Sequence, residues 1–129
     1  MTSVYLSAED VVGIAEDACA GTPLVRDVGL VAEAAFRPTS AAFGEDVYPD
    51  PIEKAAALFQ SLVFGRPFVG GNKRTAWLSC VTFLAMNGVR LRPDIDAAER
   101  LVIAVATGET DEVKVISQGL RELIAPEVS

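Results

Sequence analysis

The chain has 129 residues, half of them apolar, and a formal net charge of −7. This is enough material for one compact domain with a core of its own, and the acidic balance excludes general nucleic-acid binding, which needs a broad basic surface. No N-terminal stretch has the charged start and apolar run of a signal peptide, and the longest apolar-rich run, Thr75–Met86, is too short to span a bilayer.

In chain order, Ser7 is placed to cap a first helix of about Ala8–Ala18, with Val11, Val12, Ile14 and Ala15 on its inner side. Gly21-Thr22-Pro23 ends it, and a second helix is expected around Val28–Ala35. Arg37–Val47 lacks periodicity, contains Pro38 and Gly44, and reads as a loop. Asp50-Pro51-Ile52-Glu53 is a strong helix start, with Asp as cap, Pro in the first turn and Glu three residues on. That helix should reach Val63 or Phe64, turn Ile52, Ala55, Ala56, Phe59 and Leu62 inward, and stop at Gly65. Pro67 disfavours helix at Arg66, so Arg66–Gly71 is a connecting loop. The next helix, roughly Asn72–Asn87, is apolar nearly all round after its first turn, which predicts the buried centre of the domain. Gly88 closes it. Asp96 with Glu99 opens a helix to Thr107, and Thr110 caps a last one to about Ile124. The expectation is an all-α domain over residues 1–129, about six helices around a central helix at 72–87, with no convincing strand. Cys19 and Cys80 fall in apolar helical patterns and read as free core thiols of a reducing, cytoplasmic compartment rather than a disulfide. With no histidine in the chain, no metal site made wholly by protein is expected.

The segment Phe68-Val69-Gly70-Gly71-Asn72-Lys73-Arg74-Thr75 carries the chemistry. It sets two glycines, an amide and two cations at a helix start, where unpaired backbone N–H groups and the positive end of the helix dipole form an anion site. Glycine lets a ligand approach the backbone, and Lys73 and Arg74 add charge for phosphate oxygens. Lys54–Pro93 contains six cations and no acid, so of the net −7 this window carries +6 and the remainder −13. A solvated basic face paired with acids from elsewhere explains the window equally well; its coincidence with the glycine-rich turn favours the anion site.

This loop and its surroundings resemble the Doc (death-on-curing) toxins of the Fic fold. Their signature is His-x-Phe-x-(Asp/Asn)-(Ala/Gly)-Asn-Lys-Arg, and Phe68, Gly71, Asn72, Lys73, Arg74, Thr75 and Ala76 match it and its usual continuation. Tyr5–Asp10, Phe83–Gly88 and Ala104–Glu109 also look like Doc segments in Doc order, so the resemblance covers nearly the whole chain. It implies the toxin of a two-gene pair with a Phd-type antitoxin, whose C-terminal segment lies over the site as a helix in a groove. The surface of the N-terminal half with Arg37–Val47 is the expected groove. The resemblance further implies phosphoryl transfer from ATP with Mg²⁺ to a threonine of elongation factor Tu, and Lys73 stands where nucleotidyl-transferring Fic relatives carry Gly. By the same resemblance Phe68 anchors the loop, while Gly70, Gly71, Asn72, Lys73 and Arg74 bind phosphate, with Lys73 and Arg74 stabilising charge in the transfer step. Asn72 also suits a helix cap.

Two positions depart from the signature. Arg66 stands at the position of the family His, the general base, and a guanidinium whose pKa stays above ~12 accepts no proton. Gly70 stands at the family's metal-site Asp/Asn, so no protein oxygen is offered there. Loss of a general base typically costs ~10²–10⁴-fold, so the chain is expected to bind nucleotide weakly and to turn over slowly or not at all. Gly70 favours native divergence over an introduced change at Arg66. The alternative, from another class, is a non-catalytic Fic-fold protein that holds a phosphate-bearing ligand or an acidic peptide at the basic loop.

Overall fold

The computed structural model describes residues 3–126. Six α-helices make up the fold: α1 (Ala8–Cys19), α2 (Val28–Phe36), α3 (Pro51–Gly65), α4 (Asn72–Met86), α5 (Ile95–Ala106) and α6 (Val113–Glu122). The all-α expectation holds, with one addition. The segment after α2 is not a plain loop: a single 3₁₀ turn at Arg37–Thr39 leads into an antiparallel hairpin of two-residue strands, β1 (Ala41–Ala42) and β2 (Glu45–Asp46). Both strands are exposed on either face, so no burial pattern marked them in the sequence.

The helix starts follow from their caps. The Ser7 hydroxyl accepts from Asp10 N and the Asp10 carboxylate accepts from Ser7 N, a reciprocal pair that satisfies two free donors of α1. Asp27 and Asp50 cap α2 and α3 in the same sense, each accepting from the N–H three residues on. Asp94, not Asp96, caps α5: its backbone is extended and its carboxylate accepts from Ala97 N, so the helix starts two residues earlier than the acid pair suggested and Asp96 falls in its first turn. Thr110 caps nothing: its N–H is bound to Ala104 O in the turn that closes α5, and α6 begins three residues later, after Glu112.

The buried centre is α3 more than α4. Nine residues of α3 are buried, among them Ala55, Ala56 and Ala57, whose small side chains let α2, α4, α5 and α6 all approach it. In α4 the face Thr75, Ala76, Ser79, Cys80, Phe83 and Leu84 is buried, while Leu78, Ala85 and Met86 meet solvent. Phe59 of α3 and Trp77 of α4 pack edge to face, with ring centroids 5.9 Å apart. The cysteines divide. Cys80 is buried, and loss of hydration pushes its thiol up to about 12. Cys19 is exposed at the end of α1, against the expectation of a core thiol, because that side of the last turn faces the site loop rather than the core. Among the described residues no helix is long and apolar enough to cross a membrane.

Candidate phosphate site

The segment 66–71 joins α3 to α4, and most of its geometry comes from one short stretch before α2. Arg66, the C-cap of α3, has φ +49° and ψ +57°, a left-handed conformation that favours glycine. Arg26 holds it there. Its Nε donates to Arg66 O at 2.7 Å and its Nη2 to Gly65 O at 2.6 Å. These are carbonyls at the negative end of α3 that the helix itself cannot satisfy. The main chain continues the clip: Arg26 N and Asp27 N donate to Pro67 O, Val69 N donates to Leu24 O, and Val25 and Phe68 form an antiparallel bridge.

Beyond the clip, Phe68 is buried at 2% exposure. Asn72 closes the turn. Its Oδ1 accepts from Phe68 N at 3.0 Å and its Nδ2 donates to Phe68 O at 2.8 Å, so its amide shapes the loop, and the N-cap position of α4 belongs to Gly71. Gly71 has φ +73°, and a Cβ there would lie 2.6 Å from Cys19 Sγ, so both backbone and neighbour demand glycine. No side chain caps α4. Its first N–H groups therefore remain available to an anion.

These elements frame a cleft of about 590 Å³, lined by the loop from Arg66 to Lys73 apart from Pro67, by Arg26, and by Ala106 and Thr107 at the end of α5. Arg26, Arg66 and Lys73 supply three cations, and among the described residues no carboxylate lines it. None of the three forms a salt bridge among those residues. A second cleft, of about 690 Å³, lies across the first turn of α4, sharing Gly71, Asn72 and Lys73 and adding Cys19, Arg74, Glu99, Val102 and Ile103. Such an arrangement can hold phosphate oxygens on backbone N–H groups and side-chain cations. The first cleft, among the described residues, is lined by no carboxylate, histidine or thiol that could take a proton.

The structure therefore gathers Arg66, Phe68, Gly70, Gly71, Asn72 and Lys73 around one cleft but sets Arg74 aside. The Arg74 guanidinium turns to α1, where Nη1 donates to Ala18 O at 3.0 Å. The basic window disperses too. Lys54 is buried in a pair with Asp46, and Arg92 pairs with Asp94 and does not line the cleft. Arg26, which sequence reasoning missed, replaces them. It sits in a turn with no periodicity, and only tertiary folding brings it across to the α3 terminus.

A helical fold with an uncapped Gly-Gly-Asn-Lys-Arg helix start defines a class: residues 5–84 match the Fic/DOC family, and the chain belongs to it. It is similar to the curated protein Toxin Doc of Mycolicibacterium smegmatis (strain ATCC 700084 / mc(2)155), with 47% identity over 109 residues, covering 83% of this chain and 84% of that protein.

Proposed function

We propose that this chain is a Doc-like toxin of a toxin–antitoxin pair whose phosphate site is intact and whose transfer chemistry is impaired. The observation that carries the reading is Arg66: it lines the same cleft as Lys73 and the uncapped start of α4, at the place of the family's base. Transfer of the γ-phosphoryl group of ATP to a threonine hydroxyl of elongation factor Tu releases ADP and requires the hydroxyl proton to leave. Lys73 and the α4 N–H groups suit the developing charge on the transferred group, but the Arg66 guanidinium cannot take the proton. Asn72 is occupied by the loop backbone, and the chain has no histidine to substitute.

The partner follows from the same reading. An apolar groove of about 470 Å³ between α1 and α2, lined by Val12, Gly13, Val25, Val28 and Val31 with Glu9 and Glu16 beside them, suits an amphipathic helix of a Phd-type antitoxin. Its Val25 wall belongs to the clip that holds the site loop, so an occupant would sit directly behind the cleft.

Transfer from labelled ATP to purified elongation factor Tu tests the activity, with this chain compared with Arg66→His and with Arg66→His plus Gly70→Asp. The expected result is little or no transfer by the chain itself and a gain of ~10²-fold or more on restoring the base. If no variant transfers phosphate while ATP still binds, the cleft is a binding site only, and the non-catalytic Fic-fold reading replaces the toxin kinase.

A further inference from the structure

We infer that the cleft at the start of α4 takes an uncomplexed phosphate group, its charge met by protein cations, with no divalent metal bound beside it. This rests on the reading of the cleft as a phosphate site and concerns what the site binds. The magnesium that the family resemblance implies does not fit the residues present. Mg²⁺ is a hard cation that takes oxygen ligands in a near-octahedral set, commonly one or two carboxylates together with phosphate oxygens.

The donors here are of the wrong kind. Among the described residues no carboxylate lines the cleft, and Gly70 presents no side chain at the position where family members place an acid or amide. The Asn72 Oδ1 is bound to Phe68 N. The Thr107 hydroxyl, which donates to Ala104 O, is a neutral oxygen and brings no negative charge for a divalent ion. The Glu99 carboxylate lines the neighbouring cleft and not this one. A divalent ion entering the cleft would meet Arg26, Arg66 and Lys73, three like charges with no acid between them.

Those same cations supply what a metal would. A guanidinium presents a planar fork of donors that matches phosphate oxygens, and a lysine ammonium adds a compact charge. Arg26 spends Nε and Nη2 on the α3 carbonyls, which locks its guanidinium in place beside the cleft. The ligand class is therefore a free polyphosphate terminus, from a nucleoside triphosphate or from inorganic pyrophosphate. Magnesium acts against binding, because complexation lowers the charge of the ligand and covers the oxygens that the cations would take.

Gly70 provides the discriminating variant. A Cβ built there meets nothing within 4 Å and its φ lies outside the left-handed region, so Gly70→Asp adds an acid without displacing the loop.

Calorimetric titration of the full chain with ATP and with pyrophosphate, each in EDTA and in excess MgCl₂, tests the inference. Binding in EDTA at least as tight as in magnesium supports it, as does a loss of about tenfold in Lys73→Ala under EDTA. Pyrophosphate binding as well as ATP identifies the polyphosphate as the recognised group, whereas ATP alone assigns the source to a nucleotide. Gly70→Asp should weaken binding in EDTA and make magnesium favourable; circular dichroism checks its fold, and the comparison on the unaltered chain decides if that variant does not fold. ATP binding that requires magnesium overturns the inference and leaves the phosphate site standing. No binding of either ligand under any condition overturns both.

Discussion

Arg66 is the residue on which stability and function pull apart. A non-glycine side chain in the left-handed region costs roughly 1–2 kcal/mol, and helices commonly place glycine just past their last turn for that reason. Here the glycine comes one residue early, at Gly65, and the strained position falls to an arginine that lines the cleft. Strain held at a candidate ligand site is the observation behind the prediction that the side chain serves the ligand. Arg66→Gly is expected to raise unfolding stability by about 1 kcal/mol, read as a shift in urea midpoint at unchanged slope, while phosphate affinity falls. A variant that is both less stable and weaker in binding would show that Arg66 supports the loop rather than the ligand. The motif itself was legible from residue types: Phe68 is buried and Gly71 is forced, as Phe-x-x-Gly at a helix start suggests. The orientation of Arg74 was not, since adjacent residues on a helix diverge by about 100° and only the packing of α1 against α4 decides which of Lys73 and Arg74 faces the cleft.

At the scale of elements, the hairpin β1–β2 is fastened to α3 by a buried cation. Lys54, 1% exposed, places Nζ 3.0 Å from Asp46 Oδ2 and also bonds to Tyr48 O. Arg37 reinforces the join, reaching Tyr48 Oη, Ala57 O and Ser61 Oγ and lying over the Tyr48 ring. The two ends of the ion pair are unequal, because the Asp46 side chain is 54% exposed. Asp46→Ala leaves a buried ammonium without its counter-ion and is expected to cost about 3 kcal/mol. Lys54→Met leaves a carboxylate that water can solvate, fills the same volume, and should cost less. Guanidinium-induced unfolding of the two variants checks the order, and equal costs would mean that an unpaired ammonium at Lys54 is no more costly than an unpaired carboxylate at Asp46. Cap chemistry made the starts of α1 and α3 readable; it misplaced the cap by one residue at α4, chose the wrong one of two close acids at α5, and failed at α6, where Thr110 caps nothing. Asp94 and not Asp96 accepts the main-chain N–H, and that bond from Ala97 holds the Asp94 carboxyl below the usual range, with Arg92 adding to the effect.

For the whole molecule, α3 is the common partner of α2, α4, α5 and α6, so no group of helices has a core of its own. The chain is therefore expected to unfold in one step. Helix content by far-ultraviolet circular dichroism and the emission of Trp77, packed on Phe59 between α4 and α3, should trace the same transition. Separate midpoints would place a domain boundary where none is proposed. The charge of the molecule also changes meaning at this scale. Six cations in an acid-free stretch of sequence become a buried tie at Lys54, a surface pair at Arg92, an exposed side chain at Arg90 and a contact to α1 at Arg74, with Arg66 and Lys73 left to line the cleft.

What the sequence determined by itself was local. Caps, glycine and proline stops and 3.6-residue periodicity marked six helices, and the Gly-Gly-Asn-Lys-Arg turn marked the candidate anion site, because each signal lies within one or two turns of chain. Tertiary structure decided what depends on long-range approach: that α3 is the hub, that an exposed hairpin of four paired residues forms, and that Arg26, 40 residues from Arg66, holds the loop and completes the cation set. A side chain with no periodic neighbours carries no sequence signal of its partner, since the bond it makes is set by how whole helices pack.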